Sequence, residues 1–486
     1  MERISINPIT RLEGHGDIEI FLDEAGNVAK AYLQIPELRG FEKFAVGRPA
    51  EEMPRITPRI CGVCPTAHHM ASTKCLDDLF KVEPPPVAKK VRELFYNMFM
   101  FEDHLLHFYY LGGPDFIVGP KAPKAERNIL GVIEKVGLDI AKKLIITRKK
   151  VRELMTEMGG KVIHPVFGLP GGISKPIDKE TLARLKEVSK ESLEFAKFTV
   201  KAFHDIVLSN QEYVDIITSD TYYLKTNYMG LVDENNKVAF YDGTVRIVDT
   251  EGEEIGRFSG KDYLEYIAEH VEPWTYIKFP YLKKIGWKGF VDGDSTSIYR
   301  VAPLARLNAS DGMKTPLAQE EYERFYETLG GKPVHFTLAY HWARVIEALQ
   351  AAERMVEISN EDEIVSRDVR NLNLKTPDEG VGIVEAPRGT LIHHYKTDDQ
   401  GVIVEANLIV ATVANSSSMN INIERAAKAL IKNGNVDDGL LNMVEMAFRA
   451  YDPCFACATH SLPGGYPIKI KIFGSKGELI KEIKNI

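Results

Sequence analysis

Arg59-Ile60-Cys61-Gly62-Val63-Cys64-Pro65-Thr66-Ala67-His68 near one end of the chain and Asp452-Pro453-Cys454-Phe455-Ala456-Cys457-Ala458-Thr459-His460 near the other decide how this sequence must fold. Each stretch holds a Cys-x-x-Cys pair, and together they use four of the five cysteines. Four thiolates make a soft sulfur site suited to nickel, iron or zinc. Local zinc ribbons space their pairs by roughly 15–20 residues. Here almost the whole chain intervenes, so only a long-range clasp survives. The fold between the pairs has to bring them together, which argues for one integrated unit over residues 1–460.

The 486 residues are 44% hydrophobic and 27% charged, an ordinary soluble-globular balance. Length alone fits roughly two to four domains, but a site shared by Cys61 and Cys454 cannot belong to a detachable half. The net charge of −8 gives no electrostatic reason to expect nucleic acid or an anionic membrane as partner. The first residues lack a basic segment followed by an apolar one, and no apolar run reaches about 18 residues, so neither an export signal nor a membrane span is expected. A cytoplasmic, reduced setting follows, where Cys-x-x-Cys pairs lean towards metal or redox work.

The pattern of elements reads as an α+β fold, mainly helical. Residues 16–35 alternate apolar and polar around Gly26-Asn27 and predict a β-hairpin. Residues 87–111, 124–158 and 179–207 carry helical periodicity with no internal proline, enough for a central helical bundle. Helical pattern returns over 336–358. Residues 231–299, with Asp-Gly and Glu-Gly turns, read as a small β-rich insertion, and 402–413 as a buried apolar strand. Pro170-Gly171-Gly172 marks a structured loop. After His460 the sequence predicts a terminal edge strand and a frayed end.

Spacing alone leaves a structural zinc clasp, a redox metal and a single iron–sulfur cluster all open. The flanking motifs go further. Thr10-Arg11-Leu12-Glu13-Gly14-His15, Arg39-Gly40-Phe41-Glu42, the Arg59–His68 block, His104-Leu105-Leu106-His107-Phe108, Gly159-Gly160-Lys161 with His164-Pro165, Glu385-Ala386-Pro387-Arg388-Gly389 and the Asp452–His460 block occur in this order. In this set and order the chain closely resembles the large, catalytic subunit of nickel–iron hydrogenases from Pro8 to His460.

That resemblance implies the hydrogenase large-subunit fold and reversible heterolytic cleavage of H2. Cys61 and Cys454 would be terminal nickel ligands, and Cys64 and Cys457 would bridge nickel to an iron carrying carbon monoxide and cyanide. The proton would go to Cys454 and then Glu13, with Arg388 as the rival base. Arg388 would stand over the metals near the cyanides, oriented by Asp115 and Asp452. Thr412 would donate to a cyanide, and His68 would hydrogen-bond a bridging sulfur. Glu42, His460 and the Leu408 carbonyl would hold a hard cation, magnesium, near the C-terminus. Ala411 stands where many relatives have proline, a change expected to alter loop stiffness and not ligation.

His104 and His107 are one turn apart, but helix packing explains them better than ligation, and Cys75 reads as a small buried apolar residue. With four cysteines on the metals only Cys75 remains, too few for a relay of iron–sulfur clusters, so this chain is expected to hold none and to need an iron–sulfur partner subunit. The family pattern also implies a maturation peptidase that cuts between His460 and Ser461 and removes residues 461–486. Sequence details favour the cytoplasmic, multi-subunit group associated with heterodisulfide reductase over the deazaflavin-reducing and nicotinamide-linked types. A ligand-free respiratory-complex scaffold and a zinc-clasped assembly protein are the alternatives.

Overall fold

The computed structural model describes residues 3–7, 9–161 and 163–459, together with the backbone of two strands, Ile468–Phe473 and Leu479–Asn485. The N-terminal hairpin forms as its alternation predicts. Asp17–Leu22 pairs antiparallel with Val28–Gln34, and Arg3–Ile6 adds a third strand.

The central bundle is built from Pro86–Leu106, Leu138–Gly159, Lys179–Phe203 and Tyr340–Ser359. Tyr340–Ser359 packs between Pro86–Leu106 and Lys179–Phe203, and Leu138–Gly159 closes the outside. Phe95, Tyr96, Phe99 and Phe101 are buried, as a core face requires. Each such ring is worth ~1.5–3 kcal/mol against exposure. The 124–158 stretch is two helices, Ile129–Val136 and Leu138–Gly159, because Gly137 adopts φ 90° between them. Sequence periodicity runs through that glycine without marking the break. Two bundle helices end in π-helical turns, His107–Gly112 and His204–Leu208, which shift the face presented by the residues that follow.

The expected β-rich insertion is present with slightly wider limits. Asn227–Val232, Thr244–Val248 and Glu254–Phe258 form an antiparallel sheet, and Tyr299–Arg300 joins it in parallel. A separate antiparallel sheet, Glu379–Ala386, Gly389–Thr397 and Ile403–Ile409, lies against the helix Pro65–Leu79. The last of these strands differs from the expectation of a fully buried segment. Val404 is 54% exposed, because an edge strand has one face turned away from the core. The chain then turns into Ala411–Ala414, a short helix. Beyond the described core, Ile468–Phe473 and Leu479–Asn485 pair with each other as an antiparallel hairpin, two strands where one was expected. The cleavage point expected at His460–Ser461 lies outside the described residues.

Candidate metal centre

Cys61 and Cys64 are positioned by local structure. Cys61 ends a 3-10 turn, Thr57–Ile60, and Cys64 immediately precedes Pro65–Leu79, whose first residue is proline, the residue best suited to that position. The backbone N–H groups of Val63 and Cys64 donate to Cys61 Sγ at 3.2 and 3.1 Å. Cys454 and Cys457 sit in a turn after the helix Asp438–Arg449 and lack a helix of their own. They are placed by contacts with distant residues. Asp452 takes a left-handed φ of 58° to turn the chain inward. Glu13 N–H donates to Pro453 O, and Phe455 N–H donates to Glu13 O, so the N-terminal segment and the late pair form a bridge. Gly14 permits this approach, since a Cβ there would lie 2.6 Å from Ala456 N on a backbone with φ 87°. Thr412 Oγ1 accepts the Cys454 N–H at 3.1 Å.

The result is a single cluster of four buried sulfurs, all within 4.8 Å of one another. Cys61 Sγ and Cys454 Sγ are 3.3 Å apart, and Cys64 Sγ and Cys457 Sγ 3.6 Å. A disulfide needs about 2.05 Å, so all four are free thiols. Their acidities diverge. Burial opposes ionisation of Cys61, but hydrogen bonds from the other three thiols hold it well below the usual thiol range. Burial pushes Cys454 well above that range, and the neighbouring thiols add to it. Cys454 Sγ donates to Glu13 Oε2 at 2.8 Å. Burial first, and then the Cys61 charge, raise the Glu13 carboxyl above its ordinary value.

Above the sulfurs, Arg388 Nη1 donates to Asp103 Oδ2 and Nη2 to Asp452 Oδ1, each at 3.1 Å. Burial opposes the Arg388 charge, but the two carboxylates more than offset it and keep the guanidinium protonated. Burial pushes the Asp452 carboxyl upward in turn. The turn bearing Arg388 is anchored from beneath. Arg306 donates to Glu347, to Glu385 and to the carbonyls of Ala386 and Pro387, entirely within the core. Arg388 Nε and His68 Nε2 are buried with no hydrogen-bond partner among the described residues. Four converging thiols, with the unpaired Arg388 donor beside them, are a donor set suited to soft metals carrying anionic ligands.

A family model described as nickel-dependent hydrogenase matches residues 39–135 and 141–460, and a HoxL-like model matches residues 3–38. The chain belongs to the nickel-dependent hydrogenase family. It is 51% identical to an F420-non-reducing hydrogenase iron-sulfur subunit of Archaeoglobus profundus over the full length of both chains. It is 42% identical to a subunit of the F420-non-reducing hydrogenase of Methanothermobacter thermautotrophicus, over 99% of this chain and 100% of that one. Identity to the NAD-reducing hydrogenase HoxS subunit beta of Cupriavidus necator is 37%, over 99% of each. Among solved structures, an NAD+-reducing [NiFe]-hydrogenase in the H2-reduced state superposes with a TM-score of 0.88 at 36% identity, covering 95% of this chain and all of that one. The chain is thus a nickel–iron hydrogenase catalytic subunit, and its four-cysteine cluster fits nickel binding.

Several expected positions of this hydrogenase are brought together: Cys61, Cys64, Cys454 and Cys457, with Glu13, Arg388, Asp452 and Thr412 around them. Asp115 is not among them, which corrects the expectation that it orients Arg388. Its carboxylate is taken by Arg11 Nη2 and by Arg449 Nη1 at 2.8 Å. Asp103 fills the place instead, from the helix Pro86–Leu106. His68 meets His393 through Nδ1 at 3.1 Å, and no sulfur partner is found for its Nε2. Burial lowers the His68 imidazole to about 4, so the ring is neutral. Glu42 Oε1 accepts the Leu408 N–H at 2.8 Å, which places the two residues side by side. His460 lies outside the described residues. His104 and His107 serve packing, bonded to Glu347 at 2.9 Å and to the Arg449 carbonyl at 3.0 Å.

Reading the sequence missed Asp103, although it directly precedes the His104 motif. It also missed the clasp that joins Arg11, Asp115, Arg449 and Glu445. No local signal marks that clasp, because its members come from both ends and the middle of the chain. Cys75, as expected, is a buried thiol, and it donates to the Gly380 carbonyl at 3.0 Å. Among the described residues no helix is long and apolar enough to cross a membrane.

Proposed function

We propose that this hydrogenase chain performs the H2-splitting step of a cytoplasmic multi-subunit complex, and that Glu13 and Cys454 carry the proton out. The carrying observation is that the Glu13 carboxyl lies 2.8 Å from Cys454 Sγ at the edge of the four-sulfur cluster. Cys61, Cys64, Cys454 and Cys457 would together hold a nickel and an iron, the iron carrying carbon monoxide and cyanide. Such a metal pair supplies redox-active centres that polarise H2 towards heterolysis.

The chain's own residues do the rest. Cys454, whose thiolate is made strongly basic by burial, would take up the proton as the thiolate and, as the thiol, pass it to the Glu13 carboxylate over the 2.8 Å contact. A carboxyl raised by burial and by the Cys61 charge is matched to that exchange better than an ordinary glutamate. Glu13 is only partly buried, which gives the proton a route to solvent. Arg388, fixed by Asp103 and Asp452, presents a permanent cation to anionic ligands. Its pairing as a charged guanidinium disfavours it as the base. Thr412, whose oxygen accepts from Cys454 N–H, has its hydroxyl proton to offer a cyanide.

Electrons would leave through an iron–sulfur partner subunit, since the described residues offer a single group of clustered cysteines and the metals use it. Higher identity to F420-non-reducing relatives than to the NAD-reducing one supports a complex of the heterodisulfide-reductase-associated type. The neighbouring Glu42 and Leu408 support a magnesium site completed by His460, and a peptidase is proposed to remove residues 461–486. Residues 1–460 would then form one catalytic unit.

Elemental analysis and infrared spectroscopy of the purified complex test the reading. Nickel with iron, and bands from carbon monoxide and cyanide, are expected. Zinc alone would identify a structural clasp, and the absence of metal would identify a scaffold. An intact mass ending at Ile486 in fully active enzyme would contradict the processing step.

A further inference from the structure

Arg39 lies outside both cysteine blocks and holds on to each of them. Its backbone N–H donates to the Thr459 carbonyl at 2.7 Å, two residues beyond Cys457, and the Gly40 N–H reaches the same oxygen at 3.3 Å. Gly40 takes a left-handed φ of 61°, which lets two successive N–H groups converge on one carbonyl. The Arg39 guanidinium turns the other way. Nη1 donates to the Ile60 carbonyl and Nη2 to the Arg59 carbonyl at 3.2 Å, and Nη1 makes a longer contact of 3.5 Å with the Ala456 carbonyl. The Ile60 carbonyl belongs to the peptide that leads into Cys61, and the Ala456 carbonyl to the one that leads into Cys457.

An exposed arginine is commonly a solvated cation or half of a surface ion pair. Arg39 is neither. Among the described residues all its side-chain hydrogen bonds go to backbone carbonyls of the two blocks. The Phe41 ring, 5.2 Å from the guanidinium carbon, packs against the fork and helps to fix its plane. A link of this kind is needed. The sulfurs approach to 3.3 and 3.6 Å across the two pairs, and ionised sulfurs that close repel each other. Among the described residues no backbone hydrogen bond runs directly between residues 59–68 and residues 452–459.

We propose that Arg39 is a positioning residue that fixes the spacing of the two cysteine pairs, with its backbone seated on the late block and its guanidinium on the early one. The proposal rests on the four-sulfur metal-centre reading above. Four ligands converge on a metal only while both pairs are held, and residues that orient ligands without touching the metal raise its affinity. Charge alone does not serve, because a lysine ammonium is a point donor and lacks the rigid fork that spans two successive carbonyls.

The test uses the full-length metal-free chain, with cobalt(II) alone as the probe. The readouts are the affinity for cobalt and the thiolate-to-cobalt charge-transfer absorption per bound ion, which counts the sulfurs engaged. Arg39→Met keeps the backbone grip on Thr459 and removes the fork. It is expected to weaken cobalt binding about 10–100-fold and to lower the absorption per cobalt towards that of a two-thiolate site. Arg39→Lys keeps the charge and should recover little of either. Arg55→Met removes an exposed cation from the groove that Arg39 also lines and should behave as the native chain does. If Arg39→Met fails to fold, Arg39→Lys decides on the same two readouts. Native affinity and absorption in Arg39→Met, full recovery in Arg39→Lys, or an equal loss in Arg55→Met overturns the proposal. A native chain that binds cobalt without thiolate bands overturns the metal-centre reading instead.

Discussion

The two Cys-x-x-Cys pairs have the same spacing and opposite surroundings. Cys61 and Cys64 lie where a 3-10 turn meets a proline-started helix, and two backbone N–H groups close on Cys61 Sγ within three residues of it. Cys454 and Cys457 have no such local frame. They are held by Glu13, Thr412 and the Arg449 clasp, all distant in sequence or outside the turn. The thiols differ accordingly: Cys61 is held low by donated hydrogen bonds despite burial, and Cys454 is pushed high by burial. One motif thus provides a fixed anionic ligand and, at the other end of the chain, a ligand able to take up a proton.

That contrast can be broken or sharpened by experiment. Cys61→Ser and Cys454→Ser should both abolish nickel loading and cut H2 uptake by at least about 1000-fold, on the order of 4 kcal/mol of barrier. Retained nickel and turnover in one variant alone would show that the pairs are not equivalent as ligands. Arg449→Met should act on the late pair only. It leaves Glu445 and part of Asp115 uncompensated in the core, at a cost of about 3–5 kcal/mol in denaturant titration. In the metal-free chain, alkylation should then reach Cys454 sooner than Cys61, and equal protection of both would remove the clasp from its role.

Glu13→Gln tests the proton side. It keeps the size and one acceptor of the side chain but cannot cycle a proton, so D2–water exchange should fall about 100–1000-fold with nickel unchanged. Full turnover would exclude Glu13 from the relay. The smallest effect is expected from Thr412→Val, which leaves the Cys454 N–H buried without its acceptor and costs about 1–3 kcal/mol. A thermal melt of the metal-free protein would detect it, and no change would mean that the late turn does not depend on this bond.

Much of this was readable in the residue string, for reasons that lie in local physics. The bundle helices followed from periodicity, and the buried aromatics of residues 95–101 lie where that periodicity places them. The break at Gly137 was not readable, because a glycine inside a helical pattern is often tolerated. Nor was the choice between Asp103 and Asp115. Both are acidic residues near the same motif, but the π-helical turn His107–Gly112 lies between them and swings the second onto another face. There it meets Arg11 and Arg449.

The sequence by itself determined which four sulfurs were candidates for a metal cluster, and the family, because thiol chemistry and ordered motifs do not depend on where the chain goes between them. It also determined the frame of Cys61 and Cys64, since a turn and a proline-capped helix start are short-range events. Only the tertiary structure decided what surrounds Cys454, which carboxylates hold Arg388, and which residues back His68. Those are long-range pairings of buried polar groups, and a buried charge or imidazole takes whichever partner the packed helices and strands bring within hydrogen-bond reach.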